Sequence, residues 1–165
     1  MPARAVTTPP AWRIEVDDVR RPEVLALLAE HLTDMYATSP AESVHVLDVD
    51  ALRSPSIRVW TLWEGDALLG CGALKQLSAI EGELKSMRTR GVARGRGVAR
   101  ALLDHIVAEA RQRGYQRVLL ETGTEPYFAA ARGLYARYGF IECPPFGDYQ
   151  DDPHSTFFVL SLDGD

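Results

Sequence analysis

Residues 83–122 constrain the fold more than any other stretch of the chain. They read as strand, glycine- and arginine-rich turn, amphipathic helix and strand. In the helix, Ala99, Leu102, Leu103, Ile106, Val107 and Ala110 recur at i, i+3, i+4, i+7, i+8 and i+11, an apolar stripe of helical period. Gly114 supplies a stop signal. Residues 115–122 then carry the run Val118-Leu119-Leu120, typical of a strand covered on both faces. Strand, crossover helix and strand make a βαβ unit, so its two strands lie parallel. The first of them, 83–89, has Leu84 and Met87 on opposite faces. Either both faces are covered, or a bulge shifts the parity between them.

The rest of the chain is arranged around that unit. Trp12, Ile14 and Val16 alternate along a half-buried strand over 12–19. Pro22 opens a helix with Val24, Leu25, Leu28, Leu32 and Met35 on one stripe, and Ser39-Pro40 ends it. A second short helix is expected over 42–52. Strands at 57–63 and 68–77 flank the hairpin signal Glu64-Gly65-Asp66. After the βαβ unit, Glu125-Pro126 starts a helix with Ala131, Leu134, Tyr135 and Tyr138 on one face, stopped by Gly139. A short strand at 140–143, a polar loop at 144–154 and a closing strand at 156–162 complete the chain. The expected class is α/β (α+β): a mixed, mostly antiparallel twisted sheet of six to seven strands, a central parallel βαβ unit and about four flanking helices. Residues 1–11, with three prolines, read as a loose arm, and 12–165 as a single domain.

The net charge of −5 argues against a general nucleic-acid binder. Arg88, Arg90, Arg94, Arg96 and Arg100 nonetheless form a local basic patch, which suits one anionic ligand better than a long polyanion. Two cysteines give neither a disulfide framework nor metal-ligand spacing, so no metal is expected and a reducing compartment is the default. With no apolar leader and no run of membrane-spanning length, the expectation is a cytoplasmic protein without a membrane partner.

The turn between strand and helix carries the chemistry. Arg94, Gly97 and Ala99 fit R-x-x-G-x-A, and Gly95 adds a second permissive backbone. Glycine lets the backbone approach a ligand, and the first N–H groups of the next helix have no intrahelical partner and favour an anion. The loop suits a pyrophosphate, with Arg94 and Arg96 as charged donors. A plain strand-to-helix turn with solvated arginines is the competing reading. The third glycine and the downstream acid of a dinucleotide fingerprint are missing, as is the Gly-Lys-Ser/Thr of a Walker loop.

The Arg94–Ala99 loop, the strand after its helix, and Leu134-Tyr135 followed by Gly139-Phe140 together resemble the GNAT N-acyltransferase superfamily. The resemblance covers nearly the whole chain. It implies an acetyl-CoA-dependent N-acetyltransferase that moves an acetyl group to the primary amine of a small molecule, in a monomer or homodimer. By the resemblance, the N–H groups of Arg94, Gly95, Arg96, Gly97, Val98 and Ala99 hold the pyrophosphate. The backbone of Met87, Arg88 and Thr89 pairs with the pantetheine arm, and Tyr135 matches the tyrosine that often faces the thiol. Phe128 stands where the family often has Asn; it can pack on the arm but not bond to it. A catalytically silent acyl-CoA-binding or sensing module of the same fold is the alternative.

Acetyl transfer to an amine needs a base, an oxyanion donor and a route out for the thiolate. A free N–H at a bulge in 83–89 would serve the oxyanion. Tyr135 would donate to the departing sulfur, or else is core on its helix. Glu121, on a covered strand, is a base raised by desolvation, or a structural partner of the Thr122-Gly123-Thr124 turn. His45 is the other base candidate, against the plainer surface histidine, and His31 and His105 read as packing or surface residues. For the acceptor, Ser39, Glu42, Ser43 and His45 face Asp148, Tyr149, Asp151 and Asp152 across the sheet. Lys85 or Arg88 would hold a carboxylate if it points that way. A solvated Asp-rich loop, remote from any ligand, is the plain alternative.

Overall fold

A computed structural model describes residues 11–44 and 49–162. All of the expected N-terminal arm except Ala11, and His45, lie outside the described residues.

One seven-stranded sheet carries the structure, in the order β1-β2-β3-β4-β5-β7-β6. Strands β1 (Trp12–Asp17), β2 (Ile57–Glu64), β3 (Ala67–Gln76) and β4 (Glu81–Thr89) are successive antiparallel neighbours. Strand β5 (Arg117–Gly123) runs parallel to β4, as the βαβ unit requires. Strand β7 (Ser155–Ser161) is antiparallel to β5 and carries the two-residue β6 (Ile141–Glu142) on its outer edge. The helices are α1 (Pro22–Thr38), α2 (Val49–Leu52), α3 (Val98–Gln112) and α4 (Ala129–Tyr138).

The apolar periodicities become two cores. On one face Val98, Leu102, Leu103, Ile106, Val107 and Ala110 of α3 pack on Trp60, Leu74, Leu84, Val118 and Leu120, with Tyr135 of α4 beside them. On the other face Val24, Leu27 and Leu28 of α1 pack on Val59, Trp63, Leu68, Cys71 and Ala73. Each fully buried leucine contributes about 2 kcal/mol. Leu27 completes the α1 stripe, whereas Leu32 and Met35 are only half-buried. Val16 departs from the expected alternation and is 60% exposed, because α3 lies chiefly over β2, β3 and β4 and leaves the end of β1 uncovered. The helix expected over 42–52 is divided into a single turn, Ala41–Ser43, and α2.

Two irregularities of β4 shape the site. Ala73 pairs with Lys85 and Cys71 with Arg88, so Ser86 and Met87 together oppose Gly72. This bulge resolves the parity of Leu84 and Met87: both side chains join the α3-side core. Ser86 takes φ +54, a left-handed conformation costing a non-glycine residue about 1 kcal/mol or more. Gly72 opposite gives room to the core side chains, since a Cβ there would lie 2.5 Å from Met87 Sδ and 2.8 Å from Ile106 Cδ1 and would make them shift. The second irregularity is a break in pairing. Strands β4 and β5 share only Glu81↔Arg117, Gly82↔Val118 and Glu83↔Leu119. Beyond these, β4 continues to Thr89 against β3, and β5 continues to Gly123 against β7. A wedge opens between them.

Candidate active site

The wedge opens into a cleft of about 620 Å³. At its α3 end Arg94, Gly95, Gly97, Val98 and Ala99 line it. Gly95 and Gly97 take φ +79 and +87, and a Cβ at either would meet nothing within 4 Å. The backbone angle demands glycine there, not crowding. Helix α3 has no side-chain cap and no acid in its first turn, so its leading N–H groups remain available to an anion. Arg96 lies outside this set. Its guanidinium donates to Glu64 Oε2 at 2.6 Å and lies 5.7 Å from the Trp12 ring, and its side chain is absent from the cleft lining. Arg100 and Arg137 join the lining instead.

Met87, Arg88 and Thr89 form one wall with the edge of β4 that β5 leaves unpaired. Phe128 forms part of the other. It is buried against the end of β5, where a Cβ on Gly123 would overlap its ring.

Tyr135 and Glu121 face the same cleft. Tyr135 packs edge-on against Phe140 at 5.7 Å and has no hydrogen-bond partner among the described residues. Burial holds its phenol well above the ordinary value, so it is a neutral donor. Glu121 accepts a hydrogen bond from Ser155 Oγ at 2.8 Å, and burial pushes its carboxyl up to about 7 against that bond. Lys85 opposes the rise, while Glu83 and Asp152 add to it. Both readings of Glu121 thus find a footing: it is hydrogen-bonded, though to Ser155 rather than to the following turn, and it is poised near neutrality.

His31, expected to be a packing or surface residue, also lines the cleft. Burial and the charge of Arg88 lower its pKa to about 4, so it is neutral at physiological pH. It stands at i+7 from Val24, i+4 from Leu27 and i+3 from Leu28, so helical period sets it on the core stripe of α1.

A second cavity, about 540 Å³, lies beside the first, lined by Glu42, Lys75, Asp148, Asp151 and Asp152 among others. Glu83, Lys85 and Tyr149 line both cavities and form the partition between them. The Tyr149 hydroxyl donates to Glu83 Oε2 at 2.6 Å, and Lys85 Nζ donates to that hydroxyl at 2.9 Å and to Glu83 at 3.1 Å.

Of the residues expected around an acceptor, Glu42, Asp148 and Tyr149 therefore meet at one cavity. Ser43 does not reach it as a ligand group; it is buried, and its hydroxyl donates to Asp152 Oδ2 at 2.6 Å, bracing the loop before β7. Ser39 lines neither cavity and closes α1 through its N–H to the Met35 carbonyl. Arg88 points to the α1 face and commits its Nη1 and Nη2 to Glu30, Asp34 and the Tyr127 hydroxyl, while its Nε is buried with no partner among the described residues. An acceptor's carboxylate would have to compete with Glu30 and Asp34 for the guanidinium. Among the described residues, no group of three or more His, Cys, Asp or Glu side chains is placed to hold a metal ion, and no helix is long and apolar enough to cross a membrane.

Comparison with known proteins agrees with this geometry. Residues 24–140 match the acetyltransferase (GNAT) family. The chain is 48% identical over 149 residues to the uncharacterized N-acetyltransferase YsnE of Bacillus subtilis (strain 168), covering 90% of this chain and 99% of the relative. It is 49% identical over 151 residues to the uncharacterized N-acetyltransferase YedL of Escherichia coli (strain K12), covering 92% and 95%. A Bacillus subtilis acetyltransferase solved in complex with CoA has the same fold, with a TM-score of 0.64 at 18% identity over 92% of this chain and 98% of that one. The chain belongs to the GNAT family of acetyltransferases.

Proposed function

We propose that the protein, through one domain spanning residues 12–165, transfers an acetyl group from acetyl-CoA to the primary amine of a small molecule in the cytoplasm. The observation that carries this reading is the wedge between β4 and β5. It joins an anion-binding turn at one end to Tyr135 and Glu121 at the other, and abuts a second cavity across a thin polar partition. The CoA bound by the Bacillus subtilis neighbour supports the choice of donor.

The coenzyme supplies an activated acyl group; the chain supplies placement and proton handling. The turn over Arg94, Gly95, Gly97, Val98 and Ala99 holds the pyrophosphate, and the open edge at Met87–Thr89 aligns the pantetheine arm as an added strand. The amine enters from the cavity lined by Glu42, Asp148 and Tyr149. Glu121 accepts the ammonium proton, and a carboxyl near 7 does so without being fully protonated beforehand. The nitrogen lone pair attacks the thioester carbonyl, and a backbone N–H of the Ser86–Met87 bulge, where the β3–β4 register shifts, stabilises the oxygen's charge. As the C–S bond breaks, the Tyr135 hydroxyl donates a hydrogen bond to the sulfur, and the proton shed by the attacking nitrogen passes to the leaving thiolate. The raised pKa of Tyr135 makes it a hydrogen-bond donor rather than a full acid.

Thiol release from acetyl-CoA, measured across a panel of monoamines, diamines and amino acids, tests the reading. Turnover on at least one amine is expected. Tight CoA binding with no thiol release on any amine would overturn it in favour of an acyl-CoA sensor.

A further inference from the structure

The walls of the wedge are joined at their base by three rungs and tied together at their open end by one side chain. Tyr127 lies in the helical turn Pro126–Phe128, which follows β5, yet its hydroxyl reaches Arg88 on β4. It accepts from Arg88 Nη1 at 2.8 Å and donates to Asp34 Oδ2 of α1 at 3.3 Å. Arg88 is in turn clamped by Glu30 and Asp34 on α1. The strands have exchanged no rung since Glu83↔Leu119. The phenol therefore spans the gap on the α1 face at a point where the sheet itself does not.

Three features suit Tyr127 to a moving part. The residue is 41% exposed, so a large part of its surface is in solvent before any rotation. It lines the cleft, together with Phe128, against which it packs edge-on at 4.9 Å. Its two bonds are polar and partly open to solvent, whereas the base of the same turn is anchored by buried Phe128.

The geometry points to Tyr127 as a latch across the cleft: closed, it fixes the width of the slot between residues 84–89 and the end of β5; open, it frees the slot for an extended ligand to enter or leave from the α1 face. This deepens the reading above, since the ligand meant is the pantetheine arm, but the latch is a property of the free protein. Tyr127 is a positioning residue. It acts through Arg88 on the strand edge that the arm pairs with.

Tyr127→Phe keeps the ring and removes both bonds. In the ligand-free protein, amide exchange should quicken at residues 84–89 and 125–128 and stay unchanged in the α3 core. Exchange that is unchanged at both walls, or faster everywhere alike, overturns the latch whatever the fate of the coenzyme reading. With CoA, stopped-flow displacement should show dissociation about 5- to 30-fold faster, the equivalent of the two lost bonds. A dissociation rate equal to wild type overturns the latch, while a wild-type protein that binds no CoA overturns the function proposed above and leaves the exchange result to decide this one. Arg88→Lys keeps the charge but not the three-way clamp, and should reproduce the wall exchange pattern of Tyr127→Phe.

Discussion

Replacing Glu121 by Gln separates its two roles by their dependence on pH. The carboxyl titrates at about 7 in the folded chain against an ordinary 4.5, chiefly because it is buried. The folded state holds the proton more tightly, so the group's contribution to stability is fully present below pH 4.5 and is lost as pH rises through about 7. At about 1.4 kcal/mol per tenfold change in proton affinity, the loss approaches about 3.5 kcal/mol, and solvent at the cleft wall trims it to about 2–3 kcal/mol. Glutamine carries no charge at any pH and still accepts from Ser155 Oγ. The variant should therefore gain on wild type by about 2–3 kcal/mol between pH 4.5 and 8.5, in urea unfolding followed at several pH values. Taking the difference between the two proteins cancels every other titrating group they share. The same substitution removes the base, so kcat/KM should fall steeply and lose its acidic limb near pH 7. A stability difference that stays flat with pH refutes the burial argument; a variant that keeps the acidic limb and the rate makes Glu121 structural.

Gly97→Glu should abolish measurable acetyl-CoA binding by calorimetry, because it forces a side chain at φ +87 and sets a carboxylate among the leading N–H groups of α3. The stability cost should be about 1 kcal/mol, since a Cβ there meets no neighbour. Tyr135→Phe should lower kcat about tenfold or more with little change in coenzyme affinity, as the hydroxyl faces the cleft and bonds to nothing among the described residues; wild-type kcat where chemistry limits would leave it as core. Combining Asp148→Asn with Tyr149→Phe strips a carboxylate from the second cavity and the hydroxyl from the Glu83–Lys85 partition, and should raise the acceptor KM severalfold with acetyl-CoA affinity intact.

The parts of this site visible in the sequence are those set by local rules. A helix stripe from Ala99 to Ala110, a parity conflict between Leu84 and Met87, and glycines before a helix each follow from backbone geometry, and the observed α3, bulge and positive φ angles answer them. Arg96 and Arg88 show where that logic stops. Composition places both in a basic patch, but Glu64 and Trp12 draw one away and Glu30 and Asp34 neutralise the other, and every one of these partners is distant in sequence, the nearest at 32 residues. Tyr127 and Arg137 reach the cleft only through the packing of elements, for which no periodicity speaks, whereas His31 lies on the α1 stripe and is hidden only by being polar. Ser43 looks like a ligand group because it sits in a polar connection, yet a single long-range bond to Asp152 makes it a brace.

The three rungs between β4 and β5 have a consequence for how the molecule comes apart. They join two antiparallel half-sheets, β1 to β4 and β5 to β7 with β6, so unfolding need not be uniform across the seven strands. An amide-bearing chain laid along residues 84–89 would supply the missing rungs and couple the halves. Occupancy of the cleft then registers as cooperativity: calorimetric melting should sharpen and rise with ligand concentration, the substrate serving as an interior strand of the sheet for as long as it is bound.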